Sequence, residues 1–382
     1  MSPTKLTFAY ISSIDPRNKK SWSGTHNSIY EHIKTYLGEV DILGMYVPTL
    51  PLLFGKLLTA AAQIFAKRYN YRHSKMVSKS YARFFTKKLS QKKYDYIIAP
   101  AGSCEIAHLN TGIPIIYISD TTLKCSINYH KALSNLLWFS EKESMDTEKR
   151  ALEKSKHIIV SSEWAADSVI KDFSIASKKV SVWPLGANLL EVPDGDYIFK
   201  NRKKDSQCKL IFIGVNWESK GGAIACSVLD ELLKNNIKAT LTIVGCNVPE
   251  KFKNENIINI PFIYKDTEEG KKQFVSLLLN SDFLLFPSRY EAFGIVCCEA
   301  SAFGVISIAS NTGGVGGAVK EGINGFLINS NDQGVGYAKK IIDLLNNPQY
   351  CDEVRHKARK LYEEKLNWKS WTENLKQILQ RK

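Results

Sequence analysis

The chain lacks any apolar run approaching the about 20 residues that a helix needs to span a bilayer, so no transmembrane helix is expected. It also lacks paired cysteines. The eight it has, at positions 104, 125, 208, 226, 246, 297, 298 and 351, are scattered and form no C-x2-C unit. A zinc ribbon or a disulfide framework is therefore not expected, and a reduced, cytosolic chain is the better reading. Histidine is scarce, seven residues in 382, with no cluster of ligand side chains, so no metal is expected. The N-terminus passes from Met1 almost directly into a strand-like segment at Leu6, without the charged and apolar regions of a signal peptide. Acidic residues are missing from one long stretch. Between Pro51 and Tyr94 there are eleven basic side chains and no acidic one, which carries much of the net charge of +14.

What is present is the composition of a globular protein, 44% hydrophobic and 24% charged, long enough for two separate cores. Short apolar runs alternate with helix-compatible segments, the mark of α/β folds with parallel sheets. Strands are expected at 6–11, 40–46, 96–99, 113–118, 157–160 and 180–182. After a polar, charged stretch read as a linker at 187–209, a second series follows at 209–213, 239–244, 257–260, 283–286, 305–309 and 325–328. Helices are expected at 26–37, 221–234, 269–280, 294–303, 314–320 and 333–346. Sheets of this kind bind ligands beyond the carboxyl ends of their strands. Near the C-terminus, Trp368, Trp371, Leu375, Ile378 and Leu379 recur at amphipathic helical spacing.

The densest signal is Ser288-Arg289-Tyr290-Glu291-Ala292-Phe293-Gly294-Ile295-Val296-Cys297-Cys298-Glu299. An apolar strand ended by Pro287 runs into a loop, a glycine and a helix start. One carboxylate lies in the loop and the other in the helix. Backbone N–H groups at a helix start attract phosphate. Carboxylates beside them repel phosphate and suit sugar hydroxyls, so the ligand suggested carries both a diphosphate and a sugar. A second phosphate-friendly segment is Gly214-Val215-Asn216-Trp217-Glu218-Ser219-Lys220-Gly221-Gly222, a strand exit with glycines and a lysine at a helix start.

With these residues the chain resembles the retaining GT-B glycosyltransferases of family 4. The resemblance covers nearly the whole length and is strongest from Lys209 to Ile328. It implies two Rossmann-like domains with parallel sheets facing a central cleft, and a C-terminal helix crossing back to the first domain. The implied boundaries are 1–187 for an acceptor-binding domain, 188–365 for a nucleotide-sugar domain and 366–382 for the returning helix, with Trp183-Pro184-Leu185-Gly186 as hinge. It implies catalytic roles for Glu291, Lys220 and Asp120: Glu291 on the donor hexose, Lys220 on the diphosphate, Asp120 orienting the acceptor or acting as a base. Donor binding is implied for Glu299 on the ribose, for the backbone of Phe293, Gly294, Ile295 and Val296 facing the diphosphate, for the Gly24 and Thr25 loop, and for the base pocket near Ile263. The donor it implies is a UDP- or GDP-linked sugar, with no cofactor and no metal.

Two positions depart from the pattern. Val215 stands where the family has an arginine, leaving Asn216 or Arg289 to compensate, and Ser119 stands where it has a histidine. An N-cap role for Asp120 stays open. His26, His108 and His130 lie in or near the relevant loops without a catalytic assignment.

The basic stretch reads as a membrane-surface element. Arg68, Arg72, Lys75, Lys79 and Arg83 fall at the spacing of one helix face, with aromatic residues interleaved. Residues 56–93 would then hold the enzyme at the cytoplasmic face of an anionic membrane, where lipid-linked acceptors reside. No nucleic-acid motif is found. The expected function is transfer of a hexose to a saccharide or lipid-linked saccharide in surface-glycan synthesis. A sugar-nucleotide epimerase and a non-catalytic binding protein are the alternatives.

Overall fold

The computed structural model describes residues 5–189, 191–202, 207–265 and 267–380. The chain divides into two units. Residues up to Trp183, together with those from Thr372 onward, form the first, and Pro184–Trp371 form the second. The division falls inside the segment read as a hinge.

Among the described residues each unit is built on one six-stranded sheet, and every strand pairing is parallel. In the first unit the strands are β1 (Leu6–Tyr10), β2 (Gly38–Ile42), β3 (Tyr96–Pro100), β4 (Ile115–Ser119), β5 (His157–Val160) and β6 (Val180–Val182). Their order is β2-β1-β3-β4-β5-β6. In the second unit they are β7 (Cys208–Ile213), β8 (Ala239–Val244), β9 (Ile257–Ile260), β10 (Phe283–Phe286), β11 (Ile306–Asn311) and β12 (Gly325–Asn329). Their order is β12-β11-β10-β7-β8-β9. The central strands are covered on both faces, which is why Ile115–Ile118 and Phe283–Phe286 are unbroken apolar runs and are wholly buried.

Each order reverses once. In the first sheet the chain leaves β1 to one side for β2 and to the other for β3. In the second it leaves β7 for β8 and β9 on one side and for β10 onward on the other. A crevice opens at the carboxyl ends of the strands at such a reversal, and ligands of open α/β sheets bind there.

Several sequence expectations are corrected. The stretch 187–209 is not a free linker. Gly195–Asn201 is a helix of the second unit, capped by Asp194, whose carboxylate accepts the Asp196 N–H at 2.8 Å, and its Ile198 is fully buried. Lys203, Lys204 and Asp205 of its charged run lie outside the described residues. The helix expected at 314–320 is only a 3-10 turn, Val315–Gly317. Glycines at 313, 314, 316 and 317 make a longer helix there entropically costly. The basic residues do not share one helix. The helix Lys75–Leu89 starts only after Ser74, whose hydroxyl accepts the Val77 N–H. Arg68 lies in a bridge to Leu136, and Arg72 in the 3-10 turn Tyr71–His73. Helices at Thr49–Gln63, Trp138–Lys154 and Pro348–Glu364 had no expectation attached. No helix among the described residues is long and apolar enough to cross a membrane.

The C-terminal helix Trp368–Gln380 buries Trp371, Thr372 and Leu375, and the Tyr96 hydroxyl donates to the Leu379 carbonyl at 3.4 Å within the first unit.

Candidate functional site

The loops leaving β7 and β10 meet at the reversal of the second sheet. After β7, Asn216 caps the short helix Trp217–Lys220 by accepting the Ser219 N–H at 2.8 Å. That bond occupies the Asn216 carbonyl oxygen in a structural role. Gly221 follows with φ +77°, and a Cβ there would stand 2.1 Å from the Pro287 carbonyl oxygen. Only glycine allows the β7 and β10 loops to approach this closely. The close approach delivers Lys220 Nζ to within 2.5 Å of Glu291 Oε2. The ammonium also lies 5.7 Å from the centre of the Phe286 ring. Both side chains are half-buried, at 28% and 15% exposure.

Beyond Glu291, Gly294 adopts φ +93° and opens the helix Ile295–Ala302. Phe293 and Val296 are buried and Ile295 half-buried, so the backbone rather than these side chains is what the helix start offers a ligand. The Gly314 N–H donates to the Glu291 carbonyl at 3.0 Å, tying in the glycine-rich loop after β11. Glu299, about one helical turn beyond Ile295, is buried. Its two oxygens accept from Lys265 Nζ at 3.0 and 3.1 Å. Lys265 follows β9 in the same loop as the buried Ile263, and its ammonium lies 3.8 Å from the centre of the Phe274 ring. A burial penalty on one carboxylate is thus offset by a cation supplied from a different strand exit.

Lys265 was not singled out from the sequence. In a chain with 52 basic residues, a lysine after a strand carries no distinguishing pattern. Arg289 was singled out, but its guanidinium donates to Gln333 Oε1 at 2.9 Å, and only its backbone N–H reaches the β7 side, at Ser219 O. Val215, 76% exposed, carries no charge, so no cation is supplied from that position.

The first unit has its own cluster at the carboxyl ends of its strands, next to the reversal. Trp22, Ser23 and Gly24 hold positive φ of 49°, 53° and 93° in succession, a conformation favourable only for glycine and strained at the other two. The turn starts the helix Thr25–Tyr36, with Thr25 and His26 buried at its first turn. It also aims Trp22 Nε1 at Asp120 Oδ2, 2.8 Å away, linking the β1 and β4 exits. Asp120 is not an N-cap: that role belongs to Thr122, which accepts the Cys125 N–H at 3.1 Å. The Ser119 hydroxyl is used locally, donating to the Thr121 carbonyl at 2.7 Å.

His26 Nδ1 pairs with the Tyr10 hydroxyl at 2.9 Å, and burial pushes its pKa down to about 4, so it is neutral at pH 7. His108 is held by Ser78, and His130 is exposed, capping a 3-10 turn. Neither belongs to this cluster.

Comparison with known proteins bears on what these two clusters are. Residues 194–361 match the model of the glycosyl transferases group 1, and residues 50–190 that of glycosyltransferase family 4. Its second unit thus carries the sequence pattern of the glycosyl transferases group 1. The group 1 match contains both lysine–glutamate pairs. The chain is 25% identical over 203 residues to the uncharacterized 41.2 kDa protein in the cps region of Klebsiella pneumoniae, covering 52% of this chain and 53% of that protein. The chain spans about half the length, or less, of the curated relatives it matches.

Solved structures share the fold. Sucrose-phosphate synthase from Thermosynechococcus elongatus superposes with a TM-score of 0.70 at 17% identity, covering 98% of each chain. Anabaena Alr3699/HepE in complex with UDP gives 0.64 at 15% identity, covering 98% of this chain and 99% of that one. The two Rossmann-like domains with parallel sheets expected from the sequence are observed, each in its own unit.

Proposed function

We propose that the chain is a retaining hexosyltransferase, taking a hexose from a UDP- or GDP-linked donor to a saccharide or lipid-linked saccharide in surface-glycan synthesis. The observation that carries the reading is the Lys220–Glu291 pair at the strand-order reversal of the second sheet. With no donor, ammonium and carboxylate satisfy each other. A donor separates their tasks: a diphosphate oxygen takes the place of the carboxylate on Lys220, and hexose hydroxyls donate to Glu291. The helix start at 293–296 faces the diphosphate, Glu299 holds the ribose, and the loop containing Ile263 lies against the base. The bond from the anomeric carbon to the diphosphate oxygen breaks while the acceptor oxygen attacks from the same face. Lys220 and the backbone donors stabilise the charge left on the diphosphate. Asp120, oriented by Trp22, positions the acceptor hydroxyl or takes its proton, and the Gly24–Thr25 turn lets substrate approach the first sheet.

The presence of UDP in the Anabaena structure supports a nucleotide donor, and the cps region of the Klebsiella relative supports a surface-glycan setting. The acid-free stretch at 56–93 supports a place at the cytoplasmic face of an anionic membrane.

The exposed Val215 favours a second reading, a binding protein that has lost turnover. One experiment decides. The purified chain is screened against nucleotide sugars by thermal shift, and the stabilising donors are then assayed for transfer to saccharide and lipid-linked acceptors. A donor at about 100 times its dissociation constant adds about 2.7 kcal/mol of stability. A shift without transfer selects the binding protein, and no shift with any nucleotide sugar removes both readings.

A further inference from the structure

The helix Thr49–Gln63 leaves an apolar stripe uncovered. Leu50, Leu53, Phe54 and Leu57 follow the i, i+3, i+4, i+7 spacing of a core-facing stripe, and Ile64, just past the last turn, falls on the same side with Phe65 beside it. In a globular helix such a stripe is covered. Here all six side chains face solvent, each between 53% and 80% exposed. The residues that pack inward are Gly55 and Ala62, both buried, and the half-buried Leu52, which lies against the core of the first unit.

The orientation is fixed. A Cβ at Gly55 would fall 2.2 Å from Tyr71 Cβ, so the helix presses on the turn Tyr71–His73 through bare backbone. The Thr59 hydroxyl lies 2.9 Å from the Tyr69 carbonyl. Rolling the helix to bury its stripe would drive leucine or phenylalanine into that contact and pull Thr59 off its acceptor.

The apolar surface continues past the helix. Backbone bonds join Arg68 to Asn135 and Leu137 at 2.9 Å each, and Trp138, which is 77% exposed, follows directly. The rim is cationic: Lys56, Lys67 and Arg68 are exposed, and no acidic residue occurs from 51 to 94. A large apolar patch with a positive rim matches the boundary between acyl chains and anionic headgroups. A second copy of the chain fits less well, because a two-fold contact would set the same cationic rims against each other.

We propose that the helix Thr49–Gln63 lies in the plane of an anionic bilayer, with the six apolar side chains among the acyl chains, Trp138 at the interface, and Lys56, Lys67 and Arg68 on lipid phosphates. This deepens the membrane reading given above by naming an inserting element distinct from the basic helix Lys75–Leu89. The two make different predictions in salt. Purely electrostatic attachment is lost as screening rises, whereas insertion persists.

The test is flotation of the full chain with phosphatidylcholine vesicles, with and without phosphatidylglycerol, at about 0.1 M and about 0.5 M salt. The expected result is binding to the anionic vesicles, with a substantial fraction retained at the higher salt. The double variant Leu53→Asp/Leu57→Asp lowers the bound fraction about tenfold with an unchanged melting curve, since both positions are exposed. Leu53→Ser/Leu57→Ser serves if the aspartates disturb folding. Undiminished flotation of the folded variant, or complete release at the higher salt, overturns the proposal. So does a dimer in sedimentation that the variant splits. A parent chain that floats but shows no thermal shift with nucleotide sugars leaves this inference standing and removes the transferase reading.

Discussion

Lys220 Nζ and Glu291 Oε2 are 2.5 Å apart although 71 residues separate them in sequence. The contact exists because their loops leave β7 and β10, which are hydrogen-bonded neighbours at the one place where the strand order reverses. If the pair divides between phosphate and sugar, Lys220→Ala and Glu291→Ala each lower kcat/KM by about 100-fold or more, the scale of losing one preorganised electrostatic contact. The double variant loses less than the product of the singles, because the two side chains interact. Melting curves of all three stay near the parent's, as expected for a pair that keeps contact with solvent. Full turnover by either single variant would refute the site assignment.

Lys265 gives a different kind of effect. Its removal leaves Glu299, buried at 3% exposure, without the cation that both its oxygens contact. Lys265→Ala should therefore destabilise the fold, by about 1–3 kcal/mol for a pair whose cation is partly solvated. Pairing it with Glu299→Gln should recover part of the loss. Urea melts of the four proteins in the cycle measure this directly. Equal stability of Lys265→Ala and parent would show that water alone satisfies Glu299.

Gly221→Ala tests the contact that brings the two loops together. The added methyl meets the Pro287 carbonyl and forces a side chain into φ +77°. A loss of about 1–3 kcal/mol is expected from the strained backbone. Donor binding should weaken too, since Lys220 is the preceding residue. A variant with parental stability and parental donor affinity would contradict this account of the loop.

Glu148 sets a pH dependence of stability. It is buried on the helix Trp138–Lys154, where Oε2 accepts the Leu123 N–H at 2.7 Å, and burial pushes its pKa up to about 8 from an ordinary value of 4.5. Between those values the folded chain keeps a proton that the unfolded chain has lost. The contribution is therefore fully present below about pH 4.5 and is lost as pH rises to about 8, with a slope of at most about 1.4 kcal/mol per pH unit. Glu148→Gln keeps the acceptor oxygen and removes the proton, so the variant should be the more stable protein at about pH 8 and should lose this slope. Denaturant melts across that range check the sign. Parallel curves for parent and variant would disprove it.

Much of the fold was legible in the residues. All twelve strands lie within a few residues of the apolar runs that predicted them, because buried parallel strands must be apolar on both faces. The helices left unplaced had weaker signals. Thr49–Gln63 is apolar on the side that faces water, so its pattern could not be matched to a core. Gly195–Asn201 hides behind a turn-like Pro-Asp-Gly-Asp that acts as its cap. The basic stretch obeys helical spacing from Arg68 to Arg83, yet Ser74 starts the helix midway, since capping chemistry outranks charge periodicity.

By itself, the sequence determined that two parallel α/β sheets form, and that a strand–loop–helix carrying Glu291 and Glu299 and a glycine-flanked Lys220 belong to the second. These follow from local periodicity and turn chemistry, which neighbouring residues suffice to specify. Only the tertiary structure decided the partners: Glu291 with Lys220, Glu299 with Lys265, Asp120 with Trp22, and an apolar helix face left to solvent. Those pairings depend on which strand exits lie side by side, and strand order is fixed by packing across the whole sheet rather than by any one stretch of chain.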